Sequence, residues 1–231
     1  MSLRDRRRAA ATREILDAAL KQIVERGPAG LALRAVARDL GMTVQALYHY
    51  FPNRDELVTA LIVEAYDDLT AAVRAAVDHP ARPGDPAFIA AAEGFRGWAI
   101  ANAARFQLIY GTPLRNYRAP DDGRTTGAAQ RLAVVVCDAL FAGLGADRLS
   151  RMELPPMSAG LRERFDRLPA EAIGALPPAA GALFVSVWGH LHGLVVLEAF
   201  GHTDFLAPFQ AEIFRGAMRD LLAGVHRRLP G

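Results

Sequence analysis

Cysteine is almost absent from this chain, since Cys137 is the only one among 231 residues. A single cysteine excludes an internal disulfide framework and a cysteine-rich zinc site. The sequence also has no glycine-rich phosphate loop, no His-Glu-x-x-His motif and no nucleophile elbow. His190 and His192 are two residues apart, so they point to different helix faces and make a poor metal pair. We therefore expect a protein that is not an enzyme and that carries no cofactor or metal.

Neither sign of charge predominates, because 27 Lys and Arg residues against 25 Asp and Glu residues leave a formal net charge of +2. The positive charge is unevenly placed. Residues 1–55 hold ten basic and six acidic residues, a net of +4, so the remaining residues sum to −2. A basic first quarter on a mildly acidic body is typical of a protein that binds a polyanion through that quarter. Many neutral proteins also have a basic end, however.

Charged residues are missing altogether from residues 172–197, a stretch long enough to span a bilayer. Two prolines and two histidines within it lower its membrane score. We expect a helix that is buried on all sides and no membrane partner. The first thirty residues contain no long apolar run, so no secretory signal is expected, and we predict a cytoplasmic protein.

Runs of alternating β-branched residues are scarce and alanine and leucine are abundant, which predicts an all-α protein. Residues 1–55 are predicted to form a helix-turn-helix domain, with a fourth connecting helix over residues 53–78. Residues 79–231 are predicted to form a second helical domain. The spacing of apolar, capping and breaking residues predicts helices at 9–26, 33–40, 44–51, 53–77, 86–102, 105–110, 128–144, 147–152, 158–165, 180–200 and 208–228, with a loop at 111–127 and a connector at 170–178.

The informative stretch is residues 33–51, LRAVARDLGMTVQALYHYF, in which two short helices meet at Gly41. A tight turn containing glycine between two short helices is the helix-turn-helix layout, in which the second helix lies in the DNA major groove. Val36, Ala37 and Leu40 are predicted to pack with Leu47 and the first helix. From the turn alone, an ordinary pair of short helices remains an alternative.

The residues around the turn resemble the TetR family of transcriptional regulators over roughly residues 9–60. The matching positions are residues 33–41, Thr43, residues 46–48 and residues 51–57. Two positions depart from the family pattern: Ala32 stands where Ser or Thr usually caps the second helix, and Arg54 stands where Lys is usual. Loss of such a cap costs on the order of 1 kcal/mol.

The resemblance implies phosphate contacts by Thr43 and Tyr48, with His49 and Arg54 as additions. Arg34 and Gln45 are predicted to read bases, since Arg pairs with guanine and Gln with adenine. Val44 is predicted to touch a thymine methyl group. Tyr50 is predicted either to contact DNA or to pack against the fourth helix.

Four arginines near the N-terminus are predicted to form a flexible arm that adds salt-dependent affinity for DNA or reaches the minor groove; a solvated tail is the alternative. They are Arg4, Arg6, Arg7 and Arg8.

The resemblance also implies that the second domain dimerises and binds a small ligand. Independently, the helix at residues 183–200 is apolar on nearly every face, so a partner copy is a natural cover for it. The residues predicted to form the dimer interface are Phe184, Trp188, Leu191, Val195, Phe214 and Met218. Residues 187–197, with Trp98 and residues 105–113, resemble a C-terminal subgroup of the family marked by a Trp-Gly/His-Gly helix.

A ligand pocket is expected among the helices that start near residues 86, 105 and 128, although each of its aromatic residues is also a candidate for the core. The predicted lining residues are Phe95, Trp98, Phe106, Tyr110, Cys137 and Phe141. We thus expect a homodimeric repressor that a small-molecule effector releases from a palindromic double-stranded DNA operator. The alternative is a helical small-molecule-binding protein that does not bind DNA.

Overall fold

The computed structural model describes residues 2–111, 117–120, 123–153, 156–169, 173 and 176–229. Within these residues it contains helices and no β-strand, which confirms the all-α class. Part of the predicted connector at 170–178, and residues 112–113 of the predicted subgroup motif, lie outside the described residues. The α-helices are α1 Leu3–Arg26, α2 Leu33–Asp39, α3 Val44–Tyr48, α4 Arg54–Asp78, α5 Ala87–Ala101, α6 Ala103–Tyr110, α7 Arg124–Leu140, α8 Ala146–Ser150, α9 Ala159–Asp166, α10 Pro178–Ala199 and α11 Gln210–His226.

Backbone contacts divide the chain into two compact units, which we call the head and the body. The head comprises residues 1–67 and 102–128, and the body comprises residues 68–101 and 129–231. This division differs from the predicted boundary after residue 55, because residues 102–128 belong to the head instead of the second domain. The reason is packing: α6 contacts α1 and the short 3-10 helix Pro28–Gly30.

The head is organised around one apolar cluster. Ile15 and Ile23 of α1, Val36 of α2, Leu47 of α3 and Leu57 of α4 are all at most 1% exposed and belong to it. Such a cluster sets the angles between its helices, because closely packed side chains leave few alternative arrangements. The predicted packing of Leu47 with the first two helices is confirmed.

Helix α1 begins at Leu3, six residues before its predicted start, so the arginines predicted to form a flexible arm are helical. The cause is a capping box. Ser2 Oγ accepts a hydrogen bond from the Asp5 N–H (3.1 Å), and Asp5 Oδ2 accepts one from the Ser2 N–H (2.9 Å). Hydrogen bonding of the Asp5 carboxyl group to the side chain and backbone of Ser2 lowers the pKa of Asp5. The four arginines are exposed on the first turns of this helix.

Described residues at the end of α6 and after it contact α4 at several positions. The Tyr66 and Tyr110 rings pack edge to face, with centroids 5.7 Å apart. Nearer the start of α4, the hydroxyl groups of Thr59 and Tyr117 lie 2.9 Å apart, and the Arg118 N–H donates to Asp55 Oδ2 (3.3 Å).

Contacts with α4 continue at the start of α7. Arg124 donates to Glu56 Oε2 (2.8 Å), and α7 begins at this residue, inside the predicted loop 111–127. This ion pair joins the first residue of α7 to α4 within the head.

In the body, α10 and α11 pack on α5 and on each other, and buried charges link these three helices. Arg215 of α11 is 6% exposed and pairs with Glu93 and with Asp85, whose Oδ1 it contacts at 2.6 Å. Arg96 of α5 donates to Glu198 of α10 (2.7 Å), and its guanidinium lies 5.9 Å from the centre of the Phe214 ring. Burying charge demands such partners, so these pairs constrain how α10 and α11 pack on α5.

Helix α10 is long and apolar enough to cross a membrane by length and composition. Its residues Leu183, Val187, Leu191 and Val195 are instead packed into the body. The expectation that this helix is buried on all sides is wrong, because its other face is open. Large apolar side chains remain exposed on that face and on α11 and the turn before it: Val185, Leu197, Phe200, Phe205, Phe209 and Ile213.

Five of the six predicted dimer-interface residues face the core of their own protomer. Phe184, Leu191, Val195, Phe214 and Met218 are each at most 3% exposed within the protomer. A second copy cannot reach side chains that their own core already covers. Trp188 is half-buried, and its ring stacks on Phe184 with centroids 6.1 Å apart. An interface on α10 and α11 therefore needs the exposed residues given above.

The predicted pocket residues are divided between the two units. Phe106 and Tyr110 belong to the head, where their rings pack together with centroids 5.2 Å apart. Burial raises the pKa of Tyr110. The other four belong to the body and are at most 9% exposed: Phe95, Trp98, Cys137 and Phe141.

Burial also raises the pKa of the Cys137 thiol to about 11. The thiol is therefore protonated at neutral pH, and its role is to pack in the core and not to react.

Candidate nucleic-acid interface

Helices α2 and α3 meet at a tight turn that only a few residue types accommodate. Gly41 has a φ of 64°, in the left-handed region that glycine adopts without steric cost. Thr43 then caps α3, its Oγ1 accepting a hydrogen bond from the Ala46 N–H (3.1 Å). The hydroxyl proton of Thr43 is still available for donation to a phosphate oxygen. With Leu47 fully buried, this pair of helices is anchored on the side that faces the core.

Most of the predicted DNA-binding side chains lie on the surface. Arg34 on α2, Thr43 and Gln45 at the start of α3, and Tyr48 and His49 at its end are exposed. Tyr48 is 42% exposed, which is unusual for a large aromatic side chain and makes it available to a partner. Val44 is half-buried and packs against the head core, which limits how far it can reach towards a thymine methyl group.

Tyr50 is half-buried beside the head core and also contacts α1. The Arg8 guanidinium lies over its ring at 5.4 Å from the centroid, and Arg8 Nη2 donates to the His49 carbonyl (3.3 Å). The arginine-rich start of α1 is thereby fixed beside the end of α3. The sequence signal for this arrangement was Ser2 followed three residues later by Asp5, which extends α1 through Arg8.

Arg54 lies in the first turn of α4, and its Nε donates to the Leu31 carbonyl (3.2 Å). Its predicted role as a phosphate contact is thus accompanied by an intramolecular bond that the sequence did not reveal. Asn53 Oδ1 accepts from the Glu56 N–H (2.9 Å), which confirms the predicted cap. Asp55 and Glu56 complement the positive end of the helix dipole.

Gln22 is a further buried polar residue that sequence reasoning missed. It lies on the core side of α1 with 1% of its surface exposed, and its amide reaches both ends of α2. Its only signal in the sequence is a polar residue beside Ile23, on a helix face that is otherwise apolar.

The described residues contain no cluster of three His, Cys, Asp or Glu side chains placed to hold a metal ion. His190 donates from Nδ1 to the Ser186 carbonyl one turn earlier on its own helix (2.8 Å). Burial lowers the pKa of His192, so its imidazole is neutral at pH 7.

Two short helices, α2 and α3, that join at a glycine turn and pack on α1 define a helix-turn-helix DNA-binding protein. Two family models match the chain: residues 15–61 match bacterial regulatory proteins of the tetR family, and residues 88–221 match the tetracyclin repressor-like C-terminal domain.

Similar proteins agree with this class. The chain is 39% identical over 192 residues to the HTH-type transcriptional regulators Mb1846 of Mycobacterium bovis and Rv1816 of Mycobacterium tuberculosis, covering 81% of this chain and 80% of each of theirs. Its fold is similar to the crystal structure of the regulatory protein SCO4313, with a TM-score of 0.76 and 33% identity over 96% of this chain and 100% of that one. The chain belongs to the TetR family and is a DNA-binding transcriptional regulator; regulators of this family are not enzymes.

Proposed function

We propose that this regulator is a homodimeric repressor that leaves a palindromic operator when a small molecule binds to its body. The observation that carries the DNA-binding part is the exposure of Arg34, Gln45 and Tyr48 on a pair of helices anchored by the buried Leu47. A DNA-reading surface needs side chains that are free to reach bases, on a scaffold that holds them still.

The residues divide into two roles. Arg34 and Gln45 carry planar groups that form paired hydrogen bonds with guanine and adenine, so we assign base reading to them. Thr43, Tyr48 and His49 offer single hydrogen bonds, which suits phosphate contact and fixes orientation. The exposed arginines at the start of α1 add positive charge beside α3, and such charge strengthens binding to any duplex by releasing counterions.

The purified protein should select a palindromic sequence from a pool of random duplexes. Its affinity for the selected duplex should fall steeply with salt, because each neutralised phosphate releases a counterion. Binding measured by gel shift between roughly 50 and 200 mM salt checks this. A protein that retains no duplex at low salt would instead be the helical small-molecule-binding protein considered as the alternative.

Two substitutions separate the proposed roles on the selected duplex. Tyr48→Ala should weaken binding to selected and scrambled duplexes alike, because phosphate contacts carry no sequence information. Arg34→Ala should lose about 1–3 kcal/mol only on duplexes with the native base pair at one position, and so relax specificity there. Binding to a set of single-base variants measures both effects; unchanged binding by both proteins would contradict the assigned roles.

The open face of α10 and α11 supports the homodimer. Leu197 on α10, Phe200 just after it, and Phe209 and Ile213 near the start of α11 expose 36–59% of their surface. Exposed apolar side chains in this number indicate an interface. A Cβ built on Gly189 or Gly193 of α10 meets nothing within 4 Å, so a second helix has room for close approach. A twofold pairing of this face covers the patch on both copies at once.

Replacing Ile213 by Arg should break the dimer, because a charge would then be buried between the two copies. Analytical ultracentrifugation should show the mass falling from that of two chains to that of one at micromolar concentration. The matched control is Val24→Arg on α1 of the head, where Val24 is 64% exposed and lies outside the proposed interface. If Ile213→Arg remains as dimeric as the control, this face is not the interface.

Aromatic residues of α5 and α10 are the proposed surroundings of the effector. The Phe95 ring packs edge to face on Trp188, with centroids 5.7 Å apart, and Trp188 packs on the neutral His192 at 6.1 Å. These groups carry no charge at neutral pH, so a mainly apolar effector fits them. A compound that quenches tryptophan fluorescence, with Trp98 and Trp188 as the only tryptophans, should lower operator affinity over the same concentration range. Equal affinity with and without a bound compound contradicts the proposed response.

A regulator that binds chromosomal DNA and responds to a small molecule works in the cytoplasm, and we place this one there. We propose that its effect on transcription is repression and not activation.

A further inference from the structure

We infer that Gln22 and Arg54 together hold the peptide group between Leu31 and Ala32, and that they thereby position Arg34 on DNA. The inference rests on the proposed DNA-binding surface. It assigns to two residues behind that surface a positioning role that no sequence motif indicates.

Helix α2 starts without a side-chain cap. Its N-cap position is Ala32, in extended backbone conformation, and a methyl group accepts no hydrogen bond from the first turn. The helix is only seven residues long, so it gains little stability from its own length. Its first turn must therefore be held by groups from elsewhere in the head.

Those groups come from the helices on either side. Arg54 Nε, on α4, donates to the Leu31 carbonyl oxygen (3.2 Å). Gln22 Oε1, on α1, accepts from the Ala32 N–H at 3.5 Å, the long end of the hydrogen-bond range. That carbonyl and that N–H belong to one planar peptide group. Both polar ends of the plane that leads into α2 are therefore held by side chains.

Gln22 also holds the other end of the same helix. Its Nε2 donates to Asp39 Oδ2 (3.1 Å), and Asp39 is the last residue of α2. Because Gln22 is 1% exposed, water does not replace these partners, and the two bonds fix the amide in one orientation. The position of α2 along α1 is thereby set at both ends.

The clamp affects DNA binding through the position of Arg34. It is the second residue of α2 and lies two residues after the clamped peptide group. A small rotation of that peptide group turns the start of the helix and moves the guanidinium of Arg34 relative to a base edge. Paired hydrogen bonds to a base tolerate little misplacement, so the clamp acts on specificity as well as on stability.

Arg54→Lys separates the clamp from a phosphate contact. Lysine keeps the positive charge, so a phosphate contact survives the change. It has no Nε–H part-way along the side chain, so the bond to the Leu31 carbonyl is lost. We expect roughly fivefold weaker binding to the duplex that the wild-type protein selects, the size of effect that loss of a helix cap produces. Gln22→Met, which keeps the length and apolar bulk of the side chain, should weaken binding in the same way.

Adding Ala32→Thr to Arg54→Lys should restore affinity, because the threonine hydroxyl accepts from the first turn of α2 and replaces the missing clamp. The matched control is Gly145→Ser, which gives a new cap to α8 in the body; its φ of −75° suits serine. Gly145→Ser should restore nothing, so rescue by both substitutions would indicate general stabilisation and overturn the inference.

The dependence on Arg34 is tested by a double-mutant cycle. In an Arg34→Ala background, Arg54→Lys should cause no further loss of affinity, since there is no guanidinium left to position. A fivefold loss in both backgrounds means that Arg54 acts on head stability alone and overturns the positioning role. If the Arg54→Lys protein binds the selected duplex as tightly as the wild-type protein does, the inference alone is overturned. If the wild-type protein selects no duplex at all, the proposed function is overturned with it.

Discussion

The burial of Leu47 is the constraint on which the DNA-facing surface depends. Its side chain is fully buried in a cluster with Val36 of α2 and Ile15 and Ile23 of α1, and this anchors α3. The left-handed conformation of Gly41 allows the chain to turn sharply enough for that packing. Arg34, Gln45 and Tyr48, which are proposed to meet DNA, lie on the exposed side of these same short helices. Packing on one side and recognition on the other are therefore parts of a single arrangement.

The head is larger than its helix-turn-helix motif. Residues 102–128 return to it after α5, and their polar side chains follow α4 from Tyr66 to Asp55. The chain passes between head and body at residues 67–68, 101–102 and 128–129, and two of these passages lie inside α4 and α7. Two of the three covalent connections between the units are therefore helical.

Local signals in the sequence were sufficient for most helices and for the motif. Gly41, Thr43 and Asn53 act within a few residues of their own position, and the structure has them in the predicted turn and caps. The side of α10 that faces outward was not predictable in this way. That helix is apolar on nearly every face, so its periodicity does not distinguish the face that packs on α5 from the face that stays open. A dimer face predicted from this apolar pattern therefore includes residues of the buried side.

The helical class, the turn and the family could be predicted from residue spacing and short-range capping alone. Which side chains are covered, and which partners Gln22, Arg54 and Arg215 take, depends on tertiary packing. Those partners come from residues 10 to 130 positions away. The type of a residue determines which hydrogen bonds and ion pairs it can form. The packing of whole helices determines whether a suitable partner lies within reach.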